Sequence, residues 1–242
     1  MKKLKIGAFC LMCGATFSSA SPQLLKIVAN VNDHTLAYVA NAPENGAVQL
    51  DLLRREGLKN TDYVLEIGCG ALIAAIPIMS FLEPKHFVGI DPNKWLIDAS
   101  LKIKENKDFV DKKQGQFFYN ENFDASLANI QFDYVISHSI ISHAPLWQFK
   151  LFLQNCAKVL KNGGKVVFSL RLTEPNEFDP TGIKEESTTD KWQYPTNTYF
   201  HKNTVIAEAS KWFKRVEYKK EYTTLILASR KDQWHDWFVL TK

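Results

Sequence analysis

The sequence predicts an α/β protein with a doubly wound, mostly parallel sheet, and three observations carry this prediction. Short apolar runs that end at a glycine or an acid, at residues 63–67 and 87–90, are typical of buried parallel strands. Segments with apolar residues at helical spacing alternate with these runs. A length of 242 residues, with 45% hydrophobic and 23% charged residues, suits one globular domain with a large core.

In the first half of the chain, each predicted strand is a short aliphatic or aromatic run, and each predicted helix has apolar residues three or four positions apart. Gly57 ends the first helix, and Pro92 opens the third, because proline fits the first turn of a helix. The predicted elements are a helix at Asn45–Glu56, a strand at Tyr63–Ile67, a helix at Leu72–Leu82, a strand at Phe87–Ile90, a helix at Pro92–Ile103 and a strand at Gln116–Tyr119.

In the second half, Asn162-Gly163-Gly164 stops an amphipathic helix and leads into a strand. The predicted elements are a strand at Phe132–Ser137, a helix at Leu146–Leu160, a strand at Lys165–Leu170, a helix at Thr204–Trp212 and strands at Val216–Tyr222 and Trp237–Thr241. The long connection at Arg171–Asn203 is rich in aromatic residues. It predicts a lid over a ligand site, or an excursion packed on the sheet edge.

The charge distribution gives no sign of a nucleic-acid partner. The formal net charge is +4, and Lys2, Lys3 and Lys5 supply three of those charges. The rest of the chain is close to neutral, whereas a nucleic-acid surface needs a concentrated basic face. The sequence also lacks the His and Cys spacing of a zinc site, so we expect no metal ligands.

The N-terminal residues have the pattern of a secretory signal peptide. A lysine-rich start is followed by 12 apolar residues at Ile6–Phe17 and by the small residues Ser18-Ser19-Ala20. Twelve apolar residues are too few to cross a bilayer, which takes about 20. We therefore expect a signal peptide at residues 1–20, an extracytoplasmic location and one domain at residues 21–242. The alternative is an uncleaved apolar helix that packs on the domain of a cytoplasmic protein.

Residues 64–70 read Val-Leu-Glu-Ile-Gly-Cys-Gly, and they are the most informative stretch of the chain. Glu66 stands at the end of the strand, and Gly68-Cys69-Gly70 provides a turn at which backbone can approach a ligand. The next strand ends at Asp91, where a carboxylate can accept hydrogen bonds from both hydroxyls of a ribose. These residues predict a pocket for an adenosine-containing cofactor. The alternative is a plain strand-turn-helix connection.

The residues around this loop favour one class of cofactor over dinucleotides. A dinucleotide loop has a third glycine where this chain has Ile73, and its helix faces a pyrophosphate. Glu66 would repel a pyrophosphate and attract a cofactor that carries a sulfonium and an ammonium group. In its acid-x-Gly-x-Gly motif the chain resembles the class I S-adenosylmethionine (SAM) dependent methyltransferases.

The resemblance covers roughly Gly46 to Lys242 and departs at Leu72, where the family usually has a further glycine. It implies SAM as cofactor and the class I methyltransferase fold, a Rossmann-like sheet closed by a C-terminal antiparallel hairpin. It also implies that Ser137, at the tip of the fourth strand, approaches the methionine part of SAM through its backbone. Pro92 and Asn93, beside the ribose acid, are candidates for the adenine slot.

Two histidines after the fourth strand are candidates for a catalytic base. Methyl transfer from a sulfonium is an in-line displacement, so an enzyme aligns the nucleophile and can remove its proton. The resemblance makes His143 the first candidate, because a histidine recurs at this position in small-molecule methyltransferases. His138 is the second. For either residue, the alternative is a structural role, in which the histidine forms a hydrogen bond to the backbone where the strand turns into the helix.

The sequence thus predicts a SAM-dependent methyltransferase that acts on a small-molecule acceptor. The acceptor, the methylated atom and the oligomeric state stay open. One alternative is a non-catalytic exported binding protein on the same scaffold. The other is a nicotinamide-dependent oxidoreductase, which Ile73 and Glu66 disfavour.

Overall fold

The structure, a computed structural model, describes residues 44–173, 183–185, 197–227 and 235–242. The predicted signal peptide lies outside the described residues, as does most of the predicted lid at 171–203. Residues 183–185 and 197–203 of that lid are described, and they contain two short strands and the start of a helix.

The described elements alternate between strands and helices along most of the chain. In chain order they are α1 (Glu44–Arg55), β1 (Val64–Ile67), α2 (Ala75–Phe81), β2 (Phe87–Ile90), α3 (Lys94–Leu101), α4 (Lys104–Lys113), β3 (Gln116–Phe118), β4 (Phe132–Ser137), α5 (Leu146–Val159), β5 (Leu160–Leu172), β6 (Ile183–Glu185), β7 (Thr198–Phe200), α6 (Lys202–Ala209), β8 (Arg215–Tyr218), α7 (Lys220–Leu227) and β9 (Asp236–Thr241). Short 3₁₀ turns occupy Ser126–Ala128 and Ile141–His143.

These strands form one sheet in which β3, β2, β1, β4 and β5 are parallel and adjacent in that order. β9 is antiparallel to β5 over Lys165–Leu170, and β8 is antiparallel to β9. β7 pairs in parallel with Arg171 and Leu172 at the end of β5, and β6 pairs with β7. The predicted mostly parallel sheet with a C-terminal antiparallel hairpin is confirmed.

Helices cover both faces of the sheet, as the doubly wound prediction requires. Strand side chains alternate between the faces, so Leu65 and Ile67 pack with α5 and α6, whereas Val64 packs with α1 and α2. Each layer is a continuous cluster of buried apolar side chains. The carboxyl ends of the parallel strands therefore meet along one rim, where open α/β sheets bind their ligands.

Several predicted elements differ from the structure. α3 begins at Lys94 rather than at Pro92. β5 begins at Leu160 and runs through Asn162-Gly163-Gly164, which the sequence predicted as a break between helix and strand. α2 begins at Ala75 rather than at Leu72, because Leu72 has a left-handed backbone with φ +63°. α4 was not predicted, because the predicted helix ended at Ile103. The predicted strand at Val216–Tyr222 ends at Tyr218, and the chain continues as α7, in which the Tyr222 hydroxyl donates a 2.5 Å hydrogen bond to Glu56.

Candidate active site

The glycine loop after β1 is tied directly to the end of β2. The backbone N–H groups of Gly68 and Cys69 both donate to the Ile90 carbonyl, at 2.7 and 3.2 Å. Gly68 has φ +84°, which favours glycine, and a Cβ at this position would lie 2.2 Å from Cδ1 of Ile140. Glycine at 68 therefore allows the segment after β4 to approach the loop.

Asp91 connects the same loop to the start of α3. Its Oδ2 accepts a hydrogen bond from the Gly70 N–H at 2.9 Å, and its Oδ1 accepts one from the Asn93 N–H at 2.7 Å. Burial raises the pKa of this carboxyl, and the donors at Asn93 and Gly70 oppose that rise. Asp91 thus holds the loop in shape as well as standing at the position predicted for a ribose.

A cleft follows this rim of the sheet, with an empty volume of roughly 880 Å³ when the open solvent at its mouth is included. Seven of the ten predicted site residues line it, and they come from the glycine loop, the end of β2 and the segment after β4. They are Gly68, Gly70, Asp91, Pro92, Asn93, His138 and His143. The wall also includes Asn120, Glu121, Phe123, Ile140 and Gln148.

The other three predicted site residues, Glu66, Cys69 and Ser137, are buried behind the cleft and do not line it. The Cys69 thiol packs against Gly89, where a Cβ would come within 2.8 Å of the sulfur, and burial raises its pKa well above the usual value. The side chain of Ser137 is fully buried. These two side chains therefore shape the strand ends without facing a ligand.

Glu66 has an unusual environment for a carboxyl group. Its Oε2 is buried and has no hydrogen-bond partner among the described residues. Burial, with a smaller effect from Asp91, raises its pKa from 4.5 to about 8. The prediction of a charged Glu66 therefore needs a correction, because without a cation nearby this carboxyl is mostly protonated at neutral pH.

The unpartnered oxygen of Glu66 also bears on which cofactor fits the loop. A buried acceptor without a donor is costly, and an ammonium group from a ligand would both donate to it and favour its ionised form. A pyrophosphate at the same place would offer no donor and would oppose ionisation. The residues present thus fit the amino end of SAM better than the middle of a dinucleotide.

A third histidine, which the sequence did not indicate, lies against one of the two predicted ones. The His138 ring stacks on Trp237, with centroids 5.3 Å apart, and contacts the edge of the His235 ring at 5.0 Å. Burial lowers the pKa of His235 well below its usual value, and His138, Arg171 and His143 lower it further. The lone histidine before a strand carried no signal for this contact, which arises from the pairing of β9 with β5.

The described part of the chain shows neither a metal site nor a membrane-spanning helix. No group of three His, Cys, Asp or Glu side chains there could hold a metal ion. No helix there is long and apolar enough to cross a membrane.

The chain is similar to known proteins in sequence and in structure. Residues 65–166, less than half of the chain, match a family model described as a methyltransferase domain. An uncharacterised protein of Methanocaldococcus jannaschii is 28% identical over 109 residues, which are 45% of this chain and 28% of that protein. The chain thus spans little more than a quarter of the length of this relative.

Two solved structures have the same arrangement of strands and helices as this chain. Phosphoethanolamine N-methyltransferase 2 of Haemonchus contortus, in complex with phosphomonomethylethanolamine and S-adenosylhomocysteine (SAH), is 15% identical, with a TM-score of 0.58 over 86% of this chain and 59% of that one. Magnesium protoporphyrin IX methyltransferase of Synechocystis PCC 6803, with bound SAH, is 12% identical, with a TM-score of 0.58 over 88% and 89% of the two chains. At such identities the likeness shows the fold alone.

Proposed function

We propose that this chain is a SAM-dependent methyltransferase that transfers a methyl group from SAM to a small-molecule acceptor; its fold and the match of residues 65–166 to a methyltransferase domain support this proposal. One observation carries the proposal. The glycine loop, Asp91 and both candidate histidines, His138 and His143, face a single cleft. A cofactor at one end and an acceptor at the other would therefore meet inside it.

Each part of the cleft has a role in this proposal. SAM, when bound, supplies a methyl group activated by the sulfonium. Asp91 would accept hydrogen bonds from the ribose hydroxyls, and Glu66 would accept one from the amino group. The backbone of Gly68 and Gly70 leaves room for the cofactor along the loop, because neither residue has a side chain.

His143 is the proposed base of this site. It closes the 3₁₀ turn Ile141–His143 and lines the cleft, so its imidazole can accept a proton from an acceptor hydroxyl or amine. His138 also lines the cleft, but Trp237 and His235 hold its ring by packing. We therefore assign His138 to acceptor positioning.

The test of the proposed activity is SAH formation. The full chain is incubated with SAM and pools of small-molecule metabolites, with the acceptors in the names of the two neighbours included, and SAH is measured by mass spectrometry. We expect SAH and a methylated product in at least one pool. SAM binding without SAH formation in any pool would favour the non-catalytic binding protein, and binding of NAD instead of SAM would favour the oxidoreductase.

The location of the protein is part of the same proposal. The cationic start and the 12 apolar residues that precede Ser18-Ser19-Ala20 support export, with a mature chain that starts at Ser21. N-terminal sequencing of the protein from its native cell tests this directly. An intact Met1 would contradict it and would favour a cytoplasmic methyltransferase.

A further inference from the structure

Four basic side chains lie near one another where β4, β5 and β9 meet at the rim of the sheet, and we call His138, His143, Arg171 and His235 the basic cluster. Leu170 of β5 pairs with Asp236 of β9, so the next positions along, Arg171 and His235, are neighbours across the two strands. The His138 ring contacts the His235 ring. His143 lines the same cleft as His138, and all three other members of the cluster lower the pKa of His235.

The alternation of side chains places Arg171 and His235 on one face. Trp237 pairs with Ser169, and successive strand residues point to opposite faces, so Arg171 and His235 share the face of Trp237. Asp236 points to the other face, where its two oxygens accept from the Leu172 N–H at 3.1 Å and from the Tyr218 hydroxyl at 2.7 Å. The neighbouring carboxylate is therefore turned away from the basic cluster.

Arg171 makes no ion pair within the described residues. Its Nη1 donates to Asn197 Oδ1 at 2.7 Å and lies 3.5 Å from the Tyr199 hydroxyl, and both of these partners are neutral. Its guanidinium lies over the Tyr199 ring, 5.8 Å from the centroid. A half-buried guanidinium with neutral neighbours creates a positive field that an anion would neutralise.

The cluster also contains a buried donor or acceptor with no protein partner. His235 is 3% exposed, and its Nδ1 has no hydrogen-bond partner among the described residues. Such an atom is costly unless a ligand or water completes it. His138 belongs both to the cluster and to the wall of the cleft, so a ligand in the cluster would extend into the cleft.

We infer that the methyl acceptor carries an anionic oxygen group, a carboxylate or a phosphate, which binds Arg171 beside the contacting rings of His138 and His235. This inference rests on the proposed function and names the class of its acceptor. Arginine binds both groups in a bidentate manner, and the two anions share this chemistry. The anchored acceptor would place its nucleophile in the cleft beside His143.

The test is calorimetry on the full chain saturated with SAH, at constant ionic strength. Inorganic phosphate, acetate and acetamide are titrated into wild type, Arg171→Gln, Arg171→Lys and Arg215→Gln. Acetamide is the neutral counterpart of acetate. Arg215 is an exposed control at the opposite end of the sheet, where it pairs with Glu217. SAH affinity is measured on the same four proteins.

We expect phosphate or acetate, but not acetamide, to bind the wild type. The anion that binds more tightly shows whether the acceptor carries a phosphate or a carboxylate. Arg171→Gln should weaken anion binding at least about tenfold, and Arg171→Lys should weaken it less. Arg215→Gln should bind the anion with the same affinity as wild type. Equal binding of acetate and acetamide, no binding of either anion, or an unchanged affinity in a folded Arg171→Gln protein would each overturn the inference. Failure of SAH to bind wild type would instead refute the proposed function.

Discussion

Replacing Glu66 with glutamine should change how both stability and cofactor binding depend on pH. Burial raises the pKa of this carboxyl from 4.5 to about 8. Between these two values, the folded protein holds a proton that the unfolded chain has released. The contribution of Glu66 to the free energy of unfolding is therefore fully present below pH 4.5 and is lost as the pH rises to about 8.

The size of this effect follows from the raised pKa. Each pH unit in that window costs about 1.4 kcal/mol, so the wild type should lose on the order of 5 kcal/mol from this group between pH 4.5 and pH 8. Glutamine has a similar shape and does not titrate. Relative to wild type, Glu66→Gln should therefore become more stable as the pH rises, by several kcal/mol across the window.

The same carboxyl should release its proton when an ammonium group binds beside it. The affinity of wild type for SAH, which retains the amino group of SAM, should then rise by up to about tenfold per pH unit between pH 6 and pH 8. Glu66→Gln should lack this dependence. Adenosine has no amino-acid part, and its affinity for the two proteins should follow the same pH curve.

Two assays on both proteins check this reasoning. Urea unfolding at pH 5, 6, 7 and 8 gives the difference in the free energy of unfolding. Calorimetry with SAH and adenosine at pH 6, 7 and 8 gives the affinities. Parallel stability curves for wild type and Glu66→Gln would refute the raised pKa, and parallel SAH curves would refute the contact between Glu66 and the ammonium group.

Two further predictions concern Leu72 and the histidines. Leu72 is fully buried with φ +63°, a conformation that costs a non-glycine residue about 1–2 kcal/mol, so Leu72→Gly should be no less stable than Leu72→Ala by thermal unfolding. A Leu72→Ala protein more stable than Leu72→Gly by the usual ~1 kcal/mol would contradict the strained turn. His143→Gln should slow SAH formation with an identified acceptor by about 10²–10⁴-fold at unchanged SAH affinity, whereas His138→Gln should mainly raise the acceptor KM. An undiminished rate for His143→Gln would exclude it as the base.

The strands and the cofactor half of the site could be predicted because their signals are local. β1 and β2 are short apolar runs that the structure buries completely, and the glycines and Asp91 follow them directly. Parallel strands align their carboxyl ends, so these residues had to meet at one rim. The raised pKa of Glu66 could not be predicted from the sequence, because it depends on how the folded chain buries this carboxyl.

Helices that depend on polar contacts were harder to predict. α4 buries only Asn106 and Val110, so its apolar pattern is weak. The Asn106 side chain donates hydrogen bonds to Ser100. On the exposed face of α4, ion pairs between residues four positions apart, such as Lys107 with Asp111, stabilise the helix. The sequence pattern predicted Tyr222 in a strand, whereas in the structure its hydroxyl donates a hydrogen bond to Glu56, which lies 166 residues earlier in the chain. Neither contact has a local signal.

The acceptor half of the site depends on the strand register. His235 stands beside Arg171 because Leu170 pairs with Asp236, and this pairing joins segments more than 60 residues apart. No spacing in the sequence relates these residues to His138. The basic cluster could therefore be recognised only once β9 was placed against β5.

Cofactor binding by the wild type and by Asp91→Ala tests the central claim most directly. The Asp91 carboxylate accepts hydrogen bonds from the N–H groups of Gly70 and Asn93 and would accept further ones from the ribose hydroxyls. Each hydrogen bond to a charged group contributes about 1.5–3 kcal/mol. By calorimetry, the wild type should bind SAM and SAH but not NAD, and a folded Asp91→Ala protein should bind SAM at least about tenfold more weakly. A wild type that binds NAD and not SAM, or an Asp91→Ala protein with unchanged SAM affinity, would contradict a SAM site at this cleft.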